Sequence, residues 1–135
     1  MMKKIGITGQ AGFVGNHLYT TLSLDDSVIL VPFKRSFFSD IEQLENFVVQ
    51  CDIIVHLAAM NRHEDANVIY TTNLELVTKL VNACTAQKVT PHIIFSSSSQ
   101  EQKDNLYGKS KKEGKQNFID WASQNGGTFT SLTIP

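Results

Sequence analysis

The sequence predicts an α/β protein, an open parallel sheet with helices on both faces. Short apolar runs of strand type alternate with helical stretches along all 135 residues. The first run is followed at once by Gly9, Gly12 and Gly15 and then by an apolar stripe of helical period. The run Asp52-Ile53-Ile54-Val55-His56-Leu57 is continuous instead of alternating, which suits a strand covered on both faces of a parallel sheet and makes the third strand central. Right-handed crossovers then favour a doubly wound sheet, with an expected order of 3-2-1-4-5 for strands numbered along the chain. The length fits one domain, 1–135, with a real core.

Lys3 to Thr8 forms the first strand. Val14, Leu18 and Leu22 recur at four-residue spacing behind the glycines and mark a helix ending near Asp25-Asp26. Val28 to Val31 is the second strand, closed by Pro32 and leading to Lys34-Arg35-Ser36. Ser39 and Glu42 have capping-box spacing, so a helix is expected over Asp40 to Val49. After the third strand and the polar loop Asn61 to Asp65, the positions Asn73, Val77, Leu80 and Cys84 share one face of a helix that ends near Gln87. Pro91 precedes the fourth strand, His92 to Phe95, which runs into Ser96 to Ser99. A long helix follows from about Leu106 to Asn125, stopped by Gly126-Gly127. Thr128 to Ile134 is the fifth strand, an edge open to pairing with another chain and hence to a homodimer.

Composition excludes several functions. A net charge of −1 with dispersed cations offers no basic field for nucleic acid. Cys51 and Cys84 lack metal-ligand spacing and read as reduced packing residues, and His17, His56, His63 and His92 share no spacing, so no metal site is expected. The N-terminus enters a strand without a signal-type apolar region, and no stretch approaches the ~20 apolar residues of a membrane span. A soluble, cytoplasmic protein is expected.

Gly9-x-x-Gly12-x-x-Gly15 between a strand and a helix has the setting of a dinucleotide fingerprint, and the fold it suggests is Rossmann-like. One glycine makes the tight turn, one lets backbone approach a pyrophosphate, and one lets helix and strand pack closely. The helix N-terminus then offers free N–H groups to phosphate. An NAD-specific site carries Asp or Glu at the end of the second strand, whereas this chain has Lys34, Arg35 and Ser36 there. Two cations and a hydroxyl suit the 2′-phosphate of NADP, with a solvated basic loop as the alternative. Asp40 and Ile41 are expected adenine contacts.

Tyr107 and Lys111 stand four residues apart, so on a helix phenol and ammonium share one face. A neighbouring cation favours the phenolate and makes the phenol a proton donor near neutral pH.

With the glycine loop, a serine-ended fourth strand and Tyr107-x-x-x-Lys111 in order, the chain resembles the extended short-chain dehydrogenase/reductase superfamily over essentially its whole length. His56-Leu57-Ala58-Ala59-Met60-Asn61-Arg62 and the short path from Ser96 to Tyr107 look like the reductase domain of the bifunctional capsule-polysaccharide enzymes that make UDP-N-acetyl-L-fucosamine. The resemblance implies that Tyr107 donates a proton to a carbonyl oxygen, Ser98 hydrogen-bonds that oxygen, and Lys111 lowers the tyrosine pKa while holding the nicotinamide ribose. It also implies that Phe13, Val14, Leu57, Ala58, Ala59 and Ser96 line the cofactor, with Asn73 as a support, and that Asn61 and Arg62 face a nucleotide-sugar substrate.

Extended relatives continue beyond the strand that ends at Ile134-Pro135, so the substrate subdomain and the cupin-type domain of the closest-looking family are expected to be absent. Three readings follow: an NADPH-dependent reductase of a UDP-4-keto-hexose in capsule or O-antigen biosynthesis, a nucleotide-sugar epimerase or dehydratase, and a non-catalytic NADP-binding module. A dehydratase calls for acidic residues near the serines, where the chain offers Gln100 and Glu101.

Overall fold

The computed structural model describes residues 2–60 and 62–134. In chain order the elements are β1 (Lys3–Thr8), α1 (Phe13–Ser23), β2 (Val28–Val31), a 3-10 turn (Arg35–Ser39), α2 (Ile41–Gln50), β3 (Ile53–His56), α3 (Ala66–Gln87), β4 (His92–Ser98), a second 3-10 turn (Ser99–Gln102), α4 (Leu106–Asn125) and β5 (Phe129–Ile134). All strands are parallel, and helices cover both faces.

The strand order is β2-β1-β3-β4-β5, which corrects the expected 3-2-1-4-5. β3 pairs with β1 from Ile5↔Ile53 to Thr8↔His56 and with β4 on its other side. Ile54, Val55 and His56 are all buried, and an edge position would expose such a strand and leave a row of its backbone groups unpaired. The central place expected for the third strand is therefore correct, and the edge place implied by the expected order is not. The chain runs from β1 outward to β2 and then back past β1 to β3, so the topological switch lies between β1 and β3, directly at the glycine turn.

The larger core lies between the sheet and α2, α3 and α4, with Phe47, Val48, Ile54, Leu80 and Phe118 at its centre. On the opposite face, Ile5, Ile7 and Val55 meet Leu18 and Leu22 of α1. Val14, the first residue of the expected α1 stripe, is 47% exposed and turns instead toward the strand ends. The α3 stripe is as expected, with Asn73, Val77, Leu80 and Cys84 all buried.

Helix starts depend on side-chain oxygens. Asp40 caps α2, accepting from the Gln43 backbone N–H at 3.2 Å and from Gln43 Nε2 at 2.7 Å, so the expected Ser39–Glu42 capping box does not form. Phe38 is buried in the core within the 3-10 turn, which backbone bonds from Phe37 N to Lys34 O and from Asp40 N to Phe37 O close, and α2 begins one residue later than expected. Asp65 caps α3 and Asn105 caps α4. Gly126, at φ 70°, stops α4 where the sequence places its end.

Cys51 and Cys84 are buried free thiols, and burial pushes both pKa values up to about 12. Among the described residues no helix is long and apolar enough to cross a membrane. A Cβ at Gly6 would lie 2.3 Å from Phe47 Cζ and 2.6 Å from Cys51 Sγ, so β1 and α2 meet only because this position is bare. Gly6→Ala is expected to overpack this contact and lower unfolding free energy by about 1–3 kcal/mol, read from the midpoint of urea unfolding at an unchanged m-value.

Candidate functional site

At the C-terminal ends of the strands the glycine turn separates two neighbouring cavities of about 690 and 420 Å³, both lined by Gly9, Gly12, Leu57 and Ala59. Gly9 has φ 79°, and a Cβ on it would meet Ala58 N at 2.8 Å, so the turn can lie against the end of β3 only with glycine there. A Cβ on Gly15 would fall 2.0 Å from Gly9 O, so α1 docks directly on the turn. Gly12 is the N-cap of α1 without any side-chain cap, which leaves N–H groups of the first turn open to an anion. A pyrophosphate fits this cradle.

Thr8 seals the contact between β1 and β3. Its Oγ1 accepts from Leu57 N at 3.1 Å and Ala58 N at 3.2 Å, which uses both acceptor sites of the hydroxyl, so its single proton is left for His56 Nδ1 at 2.8 Å. His56 is stacked near Phe95 and edge-on to Phe118. Burial, followed by the nearby Lys111 charge, pushes its pKa down to about 3, so it is a neutral hydrogen-bond acceptor. The strand-like pattern shows neither residue as part of a site, because they are 48 positions apart.

The larger cavity has a cationic wall. Phe33, Lys34 and Arg35 come from the end of β2, Ala58 and Met60 from the segment after β3, and Thr72 and Leu76 from α3. Gln10 Nε2 donates to Phe33 O at 3.0 Å and ties the glycine turn to β2. Arg62 lines this cavity too, whereas the smaller one, containing Tyr107, is lined without it. Asn61 lies outside the described residues. Three expected contacts do not reach the wall: Ser36 is exposed in the 3-10 turn, Asp40 is committed to capping α2, and Ile41 is 77% exposed.

The smaller cavity brings Phe13, Val14 and Gly15 opposite Ser96, Ser97, Ser98, Tyr107 and Lys111, with Ile134 at its margin. Lys111 is 5% exposed. Its Nζ donates to Ser96 O at 2.9 Å and lies 5.0 Å from the Phe95 ring centre and 5.9 Å from that of Tyr107. The two side chains share a helix face as expected, but the tyrosine is not acidified. Burial raises the Tyr107 phenol above its usual pKa, and the Ser98 hydroxyl only partly offsets this. Burial also pushes Lys111 down to about 8.

Several contacts hold Tyr107 in place. A Cβ on Gly108 would fall 1.8 Å from Gln100 O, so α4 begins flush against the second 3-10 turn. Ser110 Oγ donates to Tyr107 O at 2.7 Å and accepts from Asn73 Nδ2 at 3.2 Å. Asn73 also accepts from Met60 N at 2.7 Å and donates to Met60 O at 2.9 Å, so it joins α4 to the wall of the larger cavity without lining either one. Ser97 donates to Glu101, whose carboxylate pairs with Lys115 at 2.6 Å, and Lys115 and then Ser97 hold its pKa below the usual range. Among the described residues no His, Cys, Asp and Glu cluster could hold a metal.

Lys111 gives the site a pH signature. Its proton is lost near pH 8 in the folded chain and near pH ~10.4 in the unfolded one, so the folded state is penalised below the first value and relieved as pH rises through that window. Lys111→Met is expected to be more stable than the parent by about 2 kcal/mol below pH 8, after allowing for the lost bond to Ser96 O. The difference in urea unfolding free energy should shrink as pH approaches ~10.4.

Residues 5–132 match the NAD dependent epimerase/dehydratase family. The chain is 32% identical over 115 residues to the UDP-2-acetamido-2,6-beta-L-arabino-hexul-4-ose reductase of Pseudomonas aeruginosa, a match covering 85% of this chain and 30% of that protein. Among solved structures it is similar to CapF, a capsular polysaccharide assembling protein of Staphylococcus aureus, with 32% identity, a TM-score of 0.76 and coverage of 97% of this chain and 35% of that one. RMD from Pseudomonas aeruginosa, solved with NADPH, shares the fold at 20% identity and a TM-score of 0.83, covering 96% of this chain and 52% of that one. The UDP-glucuronic acid 4-epimerase of Bacillus cereus, solved with NAD, does so at 20% identity and a TM-score of 0.79, covering 96% of this chain and 55% of that one. The chain thus spans a third to about half the length of these relatives. By the family match over its sheet and helices, this chain belongs to the NAD dependent epimerase/dehydratase family.

Proposed function

We propose that the chain binds NADPH across the two cavities and forms the cofactor-binding, proton-donating part of a reductase acting on the 4-keto group of a UDP-hexose. The observation that carries this reading is the convergence of Ser98, Tyr107 and Lys111 on a cavity that neighbours, across the glycine turn, one walled by Lys34 and Arg35. The name of the 32% identical relative, a UDP-sugar hexul-4-ose reductase, supports the substrate class, and the likeness to CapF supports a place in capsule synthesis. NADPH and NAD each occur in a neighbour of the same fold, so the preference for NADPH rests on Lys34 and Arg35.

Gly9, Gly12 and the first turn of α1 would hold the pyrophosphate, and Lys34 and Arg35 a 2′-phosphate. Bound nicotinamide supplies the hydride. The raised phenol of Tyr107 keeps its proton at neutral pH and releases it as charge develops on the carbonyl oxygen. Ser98 orients that oxygen. Lys111, stripped of water, stabilises the tyrosinate that remains and holds the ribose beside Ser96. Phe13, Val14 and Ala59 line the same cavity and would pack against the bound cofactor.

The reductase is favoured over a dehydratase by Glu101. That carboxylate is engaged by Ser97 and Lys115, and Gln100 is neutral, so neither supplies an acid beside Ser98. We further propose a cytoplasmic setting, where nucleotide sugars and NADPH are available, and substrate contacts beyond those of this chain, given the greater length of the relatives. A homodimer belongs to the same proposal.

Calorimetric titration is expected to show NADPH binding at least about tenfold tighter than NADH. Tyr107→Phe should leave NADPH affinity within about threefold while lowering NADPH oxidation with a UDP-4-keto-hexose by about 10²–10⁴-fold. Absence of binding by either nucleotide would overturn the reading. Binding by the parent with no turnover would favour a cofactor-binding module instead.

A further inference from the structure

We infer that Arg62 is a cofactor-specificity residue, the third cation of a pocket for an adenosine 2′-phosphate, and not a substrate contact. This rests on the NADPH reading of the site and names how the specificity is built.

The larger cavity is bounded on one side by Lys34 and Arg35 at the end of β2 and also receives Arg62 from the loop between β3 and α3. No carboxylate lines it among the described residues, in a chain whose net charge is −1. The local concentration of charge therefore belongs to this pocket and not to the protein as a whole. The ion pair found among the described residues joins Lys115 to Glu101, so all three cations lack an acidic partner among those residues and are free to meet an anion.

The loop that carries Arg62 is held close to its start. Met60, two residues earlier, is fixed by the paired hydrogen bonds to Asn73, and Leu57 and Ala58 are fixed by Thr8. Arg62 thus lies two residues beyond an anchored backbone and lines the same cavity as Lys34 and Arg35. A phosphate monoester brings about −1.5 to −2 charges and three acceptor oxygens; Lys34 and Arg35 match the charge, and Arg62 adds a third group able to donate to those oxygens. A second guanidinium lining the same cavity adds a planar fork suited to phosphate. The Tyr107 cavity, where a sugar carbonyl would lie, is lined without Arg62.

The test compares Arg62→Ala, Arg62→Lys and the parent by calorimetry with NADPH, NADH and adenosine 2′,5′-bisphosphate. Arg62→Ala should weaken NADPH and the bisphosphate by about tenfold or more, leave NADH within about twofold, and reduce the salt dependence of NADPH binding. Arg62→Lys should recover part of the loss, and thermal midpoints of all three proteins should agree because the side chain is at the surface. Unchanged NADPH affinity in Arg62→Ala, or an equal loss for NADPH and NADH, would overturn this inference while leaving the parent's NADPH binding intact. A parent that binds neither nucleotide would overturn the function reading and this inference together.

Discussion

The site depends on one close approach, that of the Gly9 turn to the backbone of Leu57 and Ala58. A side chain at Gly9 would collide with Ala58 N, and the Thr8 hydroxyl beside it takes both adjacent N–H groups and gives its own proton to His56. Sterics bring the two strand ends together, and hydrogen bonding fixes their relative height. Since β1 and β3 flank the point where the strand order reverses, this contact forms the floor between the two cavities. Without it, the cationic wall and the Tyr107 wall would belong to unrelated surfaces.

A second buried polar group couples the remaining walls. Asn73 satisfies both polar groups of Met60 and reaches Ser110, which in turn holds the Tyr107 carbonyl. Placing such an amide in a core costs stability unless its bonds are made, and here they are made to two segments that carry site residues. The arrangement gives rigidity where a reaction needs fixed distances. Ser97, Glu101 and Lys115 do the same for the turn leading into α4.

Much of this was legible from local patterns. Glycines at a spacing of three after a strand have few steric explanations, and the structure gives Gly9 and Gly15 the close contacts such a motif requires. Tyr107 and Lys111 share a helix face because a four-residue spacing in α4 permits little else. The strand order was misjudged although its signal was present: the unbroken apolar run at 53–56 demanded a neighbour on each side. The helix α2 was legible to within one residue, but its cap was not: Asp40 accepts from Gln43 N, so the oxygen that caps the helix lies one position after the Ser39 that the spacing pointed to. Ser36 and Ile41 face solvent, which spacing alone does not report. The tyrosine pKa went the other way because sequence spacing reveals a neighbouring charge but not the burial that outweighs it. Arg62 lines the larger cavity, a placement that its position in a polar loop does not reveal.

The central claim is that one continuous site runs along the strand ends from Lys34 through the glycine turn to Tyr107. Amide correlation spectra of the labelled chain during titration with NADPH test it most directly. The account predicts the largest shifts at Gly9 to Gly15, Lys34, Arg35, Leu57 to Met60 and Ser96 to Ser98, with the outer face of α3 around Glu75 and Lys79 unmoved. Shifts centred on that outer face, or none at the glycine turn, would contradict it.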